Sequence, residues 1–271
     1  MLKNKVVHRE DQQADLIFNQ RSLQTDYRTL IPLLKKGLRI LDIGCGTGAI
    51  SNDIAKAVGA TGYVVAIDNT ESFVKQGKDL FKETSNLDLV HIDVLNYQPN
   101  PEDEKFDLII SSRTFQWIST IEQVLDKVKN WLKPGGLLSI LDYDHTAIEW
   151  YPKIPDSMFE YYQTFLKWRA DYGMNNSIGK DLPKLLAAHG FSGITSVNAE
   201  ETYYADQPDK LSIWSKVASS KQMVEDGFVV EELRINAIED YNNWIKELAE
   251  SMKMQLWDTQ ATLKKEINNI I

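Results

Sequence analysis

Residues 38–48 read Leu-Arg-Ile-Leu-Asp-Ile-Gly-Cys-Gly-Thr-Gly. Leu38, Ile40, Leu41 and Ile43 form an apolar run that carries one acid, Asp42, and runs straight into Gly44, Gly46 and Gly48. A helix-like stretch, Ala49 to Val58, follows. The pattern predicts a buried strand, a tight glycine turn and a helix N-terminus. Such a corner admits a ligand close to the backbone, because glycine has no Cβ to block it, and the helix start offers N–H groups without helical partners. Several nucleotide-binding families use a corner of this kind. A P-loop is excluded, since no Gly-Lys-Ser/Thr follows. Gly44-x-Gly46-x-x-Ala49 formally fits the looser dinucleotide fingerprint. The third glycine at 48 and the acid two residues ahead of the first weigh against it.

Outward from this stretch the chain alternates. Strand-like Tyr63 to Ile67, Leu87 to Ile92, Phe106 to Ile110 and Leu137 to Leu141 are separated by helix-like Ser72 to Glu83 and Ile121 to Leu132. Lys133-Pro134-Gly135-Gly136 predicts a turn. Alternation of this kind argues for a parallel sheet covered on both faces. Beyond Asp142 the pattern changes. Met158, Phe159, Tyr162, Phe165, Leu166 and Arg169 fall at helical spacing, and Leu182 to His189 predicts a helix ended by Gly190. Ile194 to Val197 predicts a short strand, Glu231 to Met252 an amphipathic helical region with Ile238, Tyr241, Ile245 and Leu248 on one face, and Met254 to Leu263 a closing strand. Leu16 to Leu34 predicts a helical lead-in.

The bulk numbers narrow the function. The 271 residues suit one α/β domain with an elaboration. A net charge of −9 disfavours a general phosphate-binding surface and hence a nucleic-acid partner. One cysteine, Cys45, leaves no intrachain disulfide framework and suits a reducing compartment. The first residues lack the apolar core of a signal peptide, and no stretch approaches the ~20 apolar residues of a membrane span. The expected location is cytoplasmic, without membrane insertion, and the oligomeric state is left open. His8, His91, His145 and His189 show no metal-ligand spacing, so no metal is expected.

Asp42-Ile43-Gly44-Cys45-Gly46-Thr47-Gly48 resembles the first motif of the class I S-adenosylmethionine-dependent methyltransferases. Asp68 in Val-Val-Ala-Ile-Asp-Asn-Thr, Asp93 in His-Ile-Asp-Val, Phe-Asp-Leu-Ile-Ile-Ser-Ser at 106–112 and Leu-Lys-Pro-Gly-Gly at 132–136 follow in the order of that family, over Leu38 to Leu141. The resemblance implies a Rossmann-like, seven-stranded, mostly parallel α/β fold. Its antiparallel last strand would come from 254–263. It also implies S-adenosyl-L-methionine as cofactor and a small-molecule acceptor methylated by in-line displacement. A carboxylate at Asp68, ending the second strand, can accept from both ribose hydroxyls, as it would for a nicotinamide dinucleotide. By resemblance Asn69 lies beside the adenosine, Asp93 against the adenine amino group and Val94 against the ring. Ser111 and Ser112 would sit near the sulfonium and acceptor, and Asp42 would hold the methionine amino end. Gly44, Cys45, Gly46 and Gly48 complete the expected cofactor site, with Cys45 a small buried filler.

The donor is already activated, so much of the catalysis can come from alignment and exclusion of water. A base matters for a hydroxyl or carbon acceptor and less for an amine or carboxylate. Arg113, Gln116, Trp117, Tyr143, Asp144 and His145, at the ends of strands four and five, are the candidates to meet the acceptor. Of these His145 alone has an ordinary pKa near neutrality. Arg113 could pair with an acidic acceptor, and Arg113 to Trp117 resembles the small-acid methyltransferases of the trans-aconitate type. Arg21 and Tyr27 could close over the methionine carboxylate. The expected organisation is a helical lead-in or lid over residues 1–36 and a methyltransferase domain over 37–271, with helical lid insertions at about 145–180 and 205–251. The alternatives carried forward are an NAD(P)-dependent oxidoreductase and a non-catalytic S-adenosylmethionine-binding module.

Overall fold

The computed structural model describes Val7 and residues 19–264. Ten strands lie among the described residues: β1 (Arg39–Ile43), β2 (Tyr63–Asp68), β3 (Leu87–His91), β4 (Phe106–Ser112), β5 (Leu132–Tyr143), β6 (Glu149–Tyr151), β7 (Phe191–Asn198), β8 (Glu201–Tyr204), β9 (Ser251–Met254) and β10 (Leu256–Leu263). Helices of the same region are α1 (Leu23–Asp26), α2 (Ala49–Val58), α3 (Glu71–Leu80), α4 (Ile121–Trp131), α5 (Asp156–Asp171), α6 (Ile178–Ala188), α7 (Pro208–Leu211), α8 (Ile213–Ser219), α9 (Gln222–Glu225) and α10 (Glu231–Glu247). The main sheet has seven strands in the order β3-β2-β1-β4-β5-β10-β7. β1 to β5 pair in parallel, and β10 runs antiparallel to both β5 and β7. This is the sheet the sequence predicts.

Side chains alternate across a strand, and here both faces are covered. Ile40, Val64, Ala66, Leu108 and Ile110 join one apolar cluster with α2, α5 and α10, while Leu41, Val65, Ile67, Ile109 and Ile140 join a second with α4 and α6. That is why the strands read as continuous apolar runs.

Some predicted boundaries move. Lys133 to Gly136 lie inside β5, as a bulge: Phe106 pairs with Leu132 and Leu108 with Leu137, so the single residue Asp107 faces four. Gly135 supplies the positive φ of 81° that this bulge needs. The lead-in is no continuous helix over its described part. α1 is followed by a 3-10 stretch, Arg28–Leu33, and Pro32 within it cannot donate to an α-helical ladder. The rest of the predicted lead-in, residues 16–18, lies outside the described residues. The helix that begins at Ile178, at the end of the insertion expected at about 145–180, packs against β5, β7 and β10 of the main sheet.

The region predicted as helix to Met252 stops at Glu247, and Leu248, assigned to the apolar face, is exposed. Ser251–Met254 is instead the middle strand of a second, three-stranded antiparallel sheet, β6-β9-β8, which the sequence did not announce. Only the single residue Gln255 separates β9 from β10, and only Ala199 and Glu200 separate β7 from β8.

Candidate functional site

At the carboxyl ends of the parallel strands the β1–α2 corner is a left-handed turn. Gly44, Gly46 and Gly48 have φ of 79°, 58° and 80°. A Cβ on Gly44 would lie 2.1 Å from the Thr114 hydroxyl, so the turn is closed against the loop after β4. The backbone N–H groups of Gly44 and Cys45 both donate to the Ile67 carbonyl, at 2.8 and 3.1 Å.

Asp68 ties the corner to β2. One carboxylate oxygen accepts from the Gly46 N–H at 2.8 Å, the other from the Thr70 N–H at 2.9 Å. A carboxylate has about four acceptor positions, so each oxygen keeps capacity for a ligand hydroxyl. Asp42 is buried and accepts from the Ser51 hydroxyl at 2.6 Å. Burial raises its pKa to about 7, and the nearby Asp68 charge adds to the rise. Its surroundings likewise push the Cys45 thiol well up, which keeps it neutral; Cys45 is half-buried and lines the larger cavity, so it is not the buried filler expected.

Two adjoining cavities share Gly44, Asp68, Thr114 and Trp117. The smaller, about 200 Å³, collects Asn69, Asp93 and Val94 with Ile92 and Leu95. Asp93 is exposed and accepts from the Leu95 N–H at 2.7 Å. The larger, about 250 Å³, begins at Asp42, Cys45 and Gly46 and ends under an aromatic roof. Tyr161, Phe165 and Trp168 of α5 and Trp214 of α8 build that roof, with Met223 of α9 beside them. Aromatic edges meet faces there, as where Trp214 and Tyr162 lie 4.7 Å apart at 75°.

Two expected site residues do not reach a cavity. Ser111 is fully buried, and its hydroxyl donates to the Ile43 carbonyl at 2.8 Å, stitching β4 to β1; Ser112 lines the larger cavity in its place. Gly48 opens α2 and makes room for Leu89, whose side chain would lie 2.6 Å from a Cβ there. Tyr27 also turns away: its hydroxyl bonds to the Ser139 backbone and side chain at 2.9 Å, while Arg21 does line the larger cavity.

Arg113 is committed inside the protein. Its guanidinium donates to the Glu201 carboxylate at 2.6 Å, the Tyr143 hydroxyl at 2.8 Å and the Asp26 carbonyl at 2.9 Å. The ion pair with Glu201 is buried on the arginine side. This corrects the expected pairing with an acidic acceptor, because the charge is already balanced by β8. The same bonds hold Arg113 at a φ of 57°, a left-handed conformation costly for any residue that carries a Cβ.

The segment after β4 is fixed from below. Asp142, buried and with its pKa raised to about 6 by burial, accepts from the Gln116 N–H at 3.0 Å. The Gln116 side chain then faces His145 across 2.5 Å. Glu201, Trp214 and Asp142 are participants that sequence reasoning missed. Glu201 and Trp214 lie far along the chain from the motifs, in short elements of four and seven residues that carry no distinguishing local period.

Four findings from known proteins bear on this geometry. Residues 34–222 match the family described as a methyltransferase domain. The chain is 37% identical over 99 residues to the malonyl-[acyl-carrier protein] O-methyltransferase 2 of Ilyobacter polytropus, covering 36% of this chain and 37% of that protein. It is 33% identical over 109 residues to a demethylmenaquinone methyltransferase of Staphylococcus saprophyticus, covering 40% of this chain and 46% of the other. The chain thus spans less than half the length of these two curated relatives. Among solved structures, a SAM-dependent methyltransferase from Aquifex aeolicus superposes with a TM-score of 0.55 at 17% identity, over 93% of this chain and 98% of that one. With the family model spanning most of the sheet, and the strand order and glycine corner described above, the chain belongs to the methyltransferase-domain family, in its class I, S-adenosylmethionine-dependent branch.

Proposed function

We propose that this protein transfers a methyl group from S-adenosylmethionine to a small, largely apolar molecule held under the aromatic roof. The observation that carries the reading is the continuity of the larger cavity, from the glycine corner with its two acids to the ring-lined chamber. The residues fit the cofactor. The turn at Gly44 to Gly46 leaves backbone open at the cavity wall, Asp68 keeps acceptor positions for ribose hydroxyls, and Asp42 suits an amino group. Asn69, Asp93 and Val94, in the adjoining cavity, would take the adenosine, and Cys45 and Gly46 the methionine side. When bound, S-adenosylmethionine supplies an activated methyl group. The chain's own part is to orient the acceptor, exclude water and receive any proton released.

The acceptor class follows from the lining. The acids among the described lining residues, Asp42 and Asp68, sit at the glycine corner, whereas Lys216 lies beside the roof and Arg21 and Arg113 lower down. A cationic acceptor would meet Lys216 there, with no acid among the described lining residues of the roof. The net charge of −9 stands against a polynucleotide. No described helix is long and apolar enough to cross a membrane. A lone free thiol fits a cytoplasmic setting. The segments at about 145–180 and 205–251 act in this reading as the cover of the acceptor chamber, the role the sequence suggested for them.

Isothermal titration with S-adenosylhomocysteine, beside NADH and NADPH, tests the reading on wild type and Asp68→Ala. Binding of S-adenosylhomocysteine alone is expected, weakened at least tenfold in the variant because both the ribose contact and the anchor of Gly46 are lost. Binding of a nicotinamide cofactor instead would sink the proposal and favour hydride transfer.

A further inference from the structure

The seven-residue helix α8 gives Ile213, Trp214, Lys216 and Val217 to the lining of the larger cavity, and Ser220, just past its end, lines it too. Lys216 and Ser220 are four residues apart, the spacing that sets side chains next to one another on a helix. Both are half-buried rather than sealed in the core. The Lys216 ammonium carries three N–H donors. Its one bond to a described residue goes to a neutral group, the Asp209 carbonyl, at 3.2 Å. No carboxylate among the described residues comes within ion-pair distance of it. The Ser220 hydroxyl accepts from the Gln222 N–H at 3.3 Å and donates to none of the described residues. A cation with spare donors and a hydroxyl with a spare proton thus stand together beside the chamber, and both complement an anion.

The other cations of the cavity are placed differently. Arg113 is ion-paired with Glu201, and the charges of Asp26 and Glu201 also act on Arg21. The lower end is therefore already balanced. At the roof the lining is apolar, with Phe165, Trp168, Trp214 and Met223, and Lys216 is its charge. One cation matches one negative charge, which favours a carboxylate over a dianionic phosphate. We propose that Lys216, helped by Ser220, is the specificity site for a carboxylate on an acceptor whose body is apolar. This deepens, and rests on, the methyl-transfer reading above. The glycine corner lies at the opposite end of the cavity, so the carboxylate is the handle and the methylated atom belongs to the acceptor's other end. Rings around an apolar body hold it without choosing its direction; a charge at one end chooses. Direction matters, because misplacing the reacting atoms by ~1 Å can cost about 100-fold in rate.

The test is titration calorimetry on the protein loaded with S-adenosylhomocysteine, using 2-naphthoate, 2-naphthamide and 2-naphthylmethylammonium, which share a body and differ in charge. The acid is expected to bind about tenfold or more tightly than the amide, as for a hydrogen bond to a charged group, and the ammonium more weakly than either. Added salt should erode the advantage of the acid and leave the amide unaffected. Lys216→Met should remove that advantage while amide and S-adenosylhomocysteine affinities stay as in wild type. Lys216→Arg should keep it, and Ser220→Ala should lower it partway. Equal binding of acid and amide by the wild type would overturn the proposal without recourse to a variant. So would an advantage that survives in Lys216→Met; if it then falls in Arg21→Met, the anion sits at the lower end instead. Protein that binds S-adenosylhomocysteine but not the acid would overturn it as well. Failure to bind S-adenosylhomocysteine would remove the methyl-transfer reading itself. If Lys216→Met fails to fold, the wild-type comparison and its salt dependence decide.

Discussion

Asp42 holds a proton more tightly folded than unfolded, and that sets a measurable pH signature. Its ordinary carboxyl pKa of 3.8 rises to about 7 on burial. Between these values the folded state binds more protons than the unfolded one, so stability falls as pH rises from about 4 to about 7. Asp42→Asn removes the titration without removing the shape. Denaturant unfolding of the two proteins across this range should show the wild type losing stability relative to the variant as pH rises. A constant difference would mean that Asp42 does not carry the shift. At this scale the sequence was informative where one face of a residue decides its role, and silent where both faces are buried. Neighbouring Ser111 and Ser112 end the same strand, both lie in covered backbone, and only the pairing of β4 with β1 tells which one meets the cavity. Arg113 was visible as a charge at a strand end, but its partner Glu201 comes from a strand that has no sequence signature.

Among the elements, α3 shows how a helix can hold a ligand corner without touching ligand. Gly77 sits in its middle, and a Cβ there would lie 2.2 Å from the Thr47 carbonyl in the glycine corner. Alanine normally favours a helix over glycine by about 1 kcal/mol. Here the close approach reverses the sign. Gly77→Ala is expected to cost about 1–3 kcal/mol, the range for overpacking, and to weaken S-adenosylhomocysteine binding by displacing the corner. Thermal unfolding with titration calorimetry checks both; a stabilised variant of normal affinity would show that the helix can withdraw freely. The main-sheet elements were legible because a doubly covered strand followed by a helix repeats the same pattern. The three strands of the small sheet were not. Each has only three or four residues, drawn from stretches far apart in the chain, so no local period distinguishes them from loop.

For the molecule as a whole, the glycine corner and the proposed acceptor chamber are built by different parts of the chain. The corner comes from β1, β2 and their loops, the roof from α5, α8 and α9. Trp214→Leu should therefore leave S-adenosylhomocysteine affinity unchanged while abolishing methylation of any acceptor that depends on the roof. Parallel loss of cofactor affinity, with the melting temperature retained, would tie the two halves together. The cofactor half was readable from motif and order; the roof was readable only as an excess of aromatic residues, since packing against a ligand and packing against a core leave the same amphipathic trace.

The small sheet also determines how the chamber can be entered. β9 continues into β10 after Gln255, and β8 follows β7 after two residues, so the roof's foundation is stapled at two points to the stiffest part of the molecule. The Asp144 N–H adds a third fastening by donating to the Gln255 carbonyl at 2.9 Å. A roof so anchored cannot swing as a rigid door. The short α7–α9 run, by contrast, carries Trp214 and Met223 of the roof on brief helices, small tiles laid on a fixed frame.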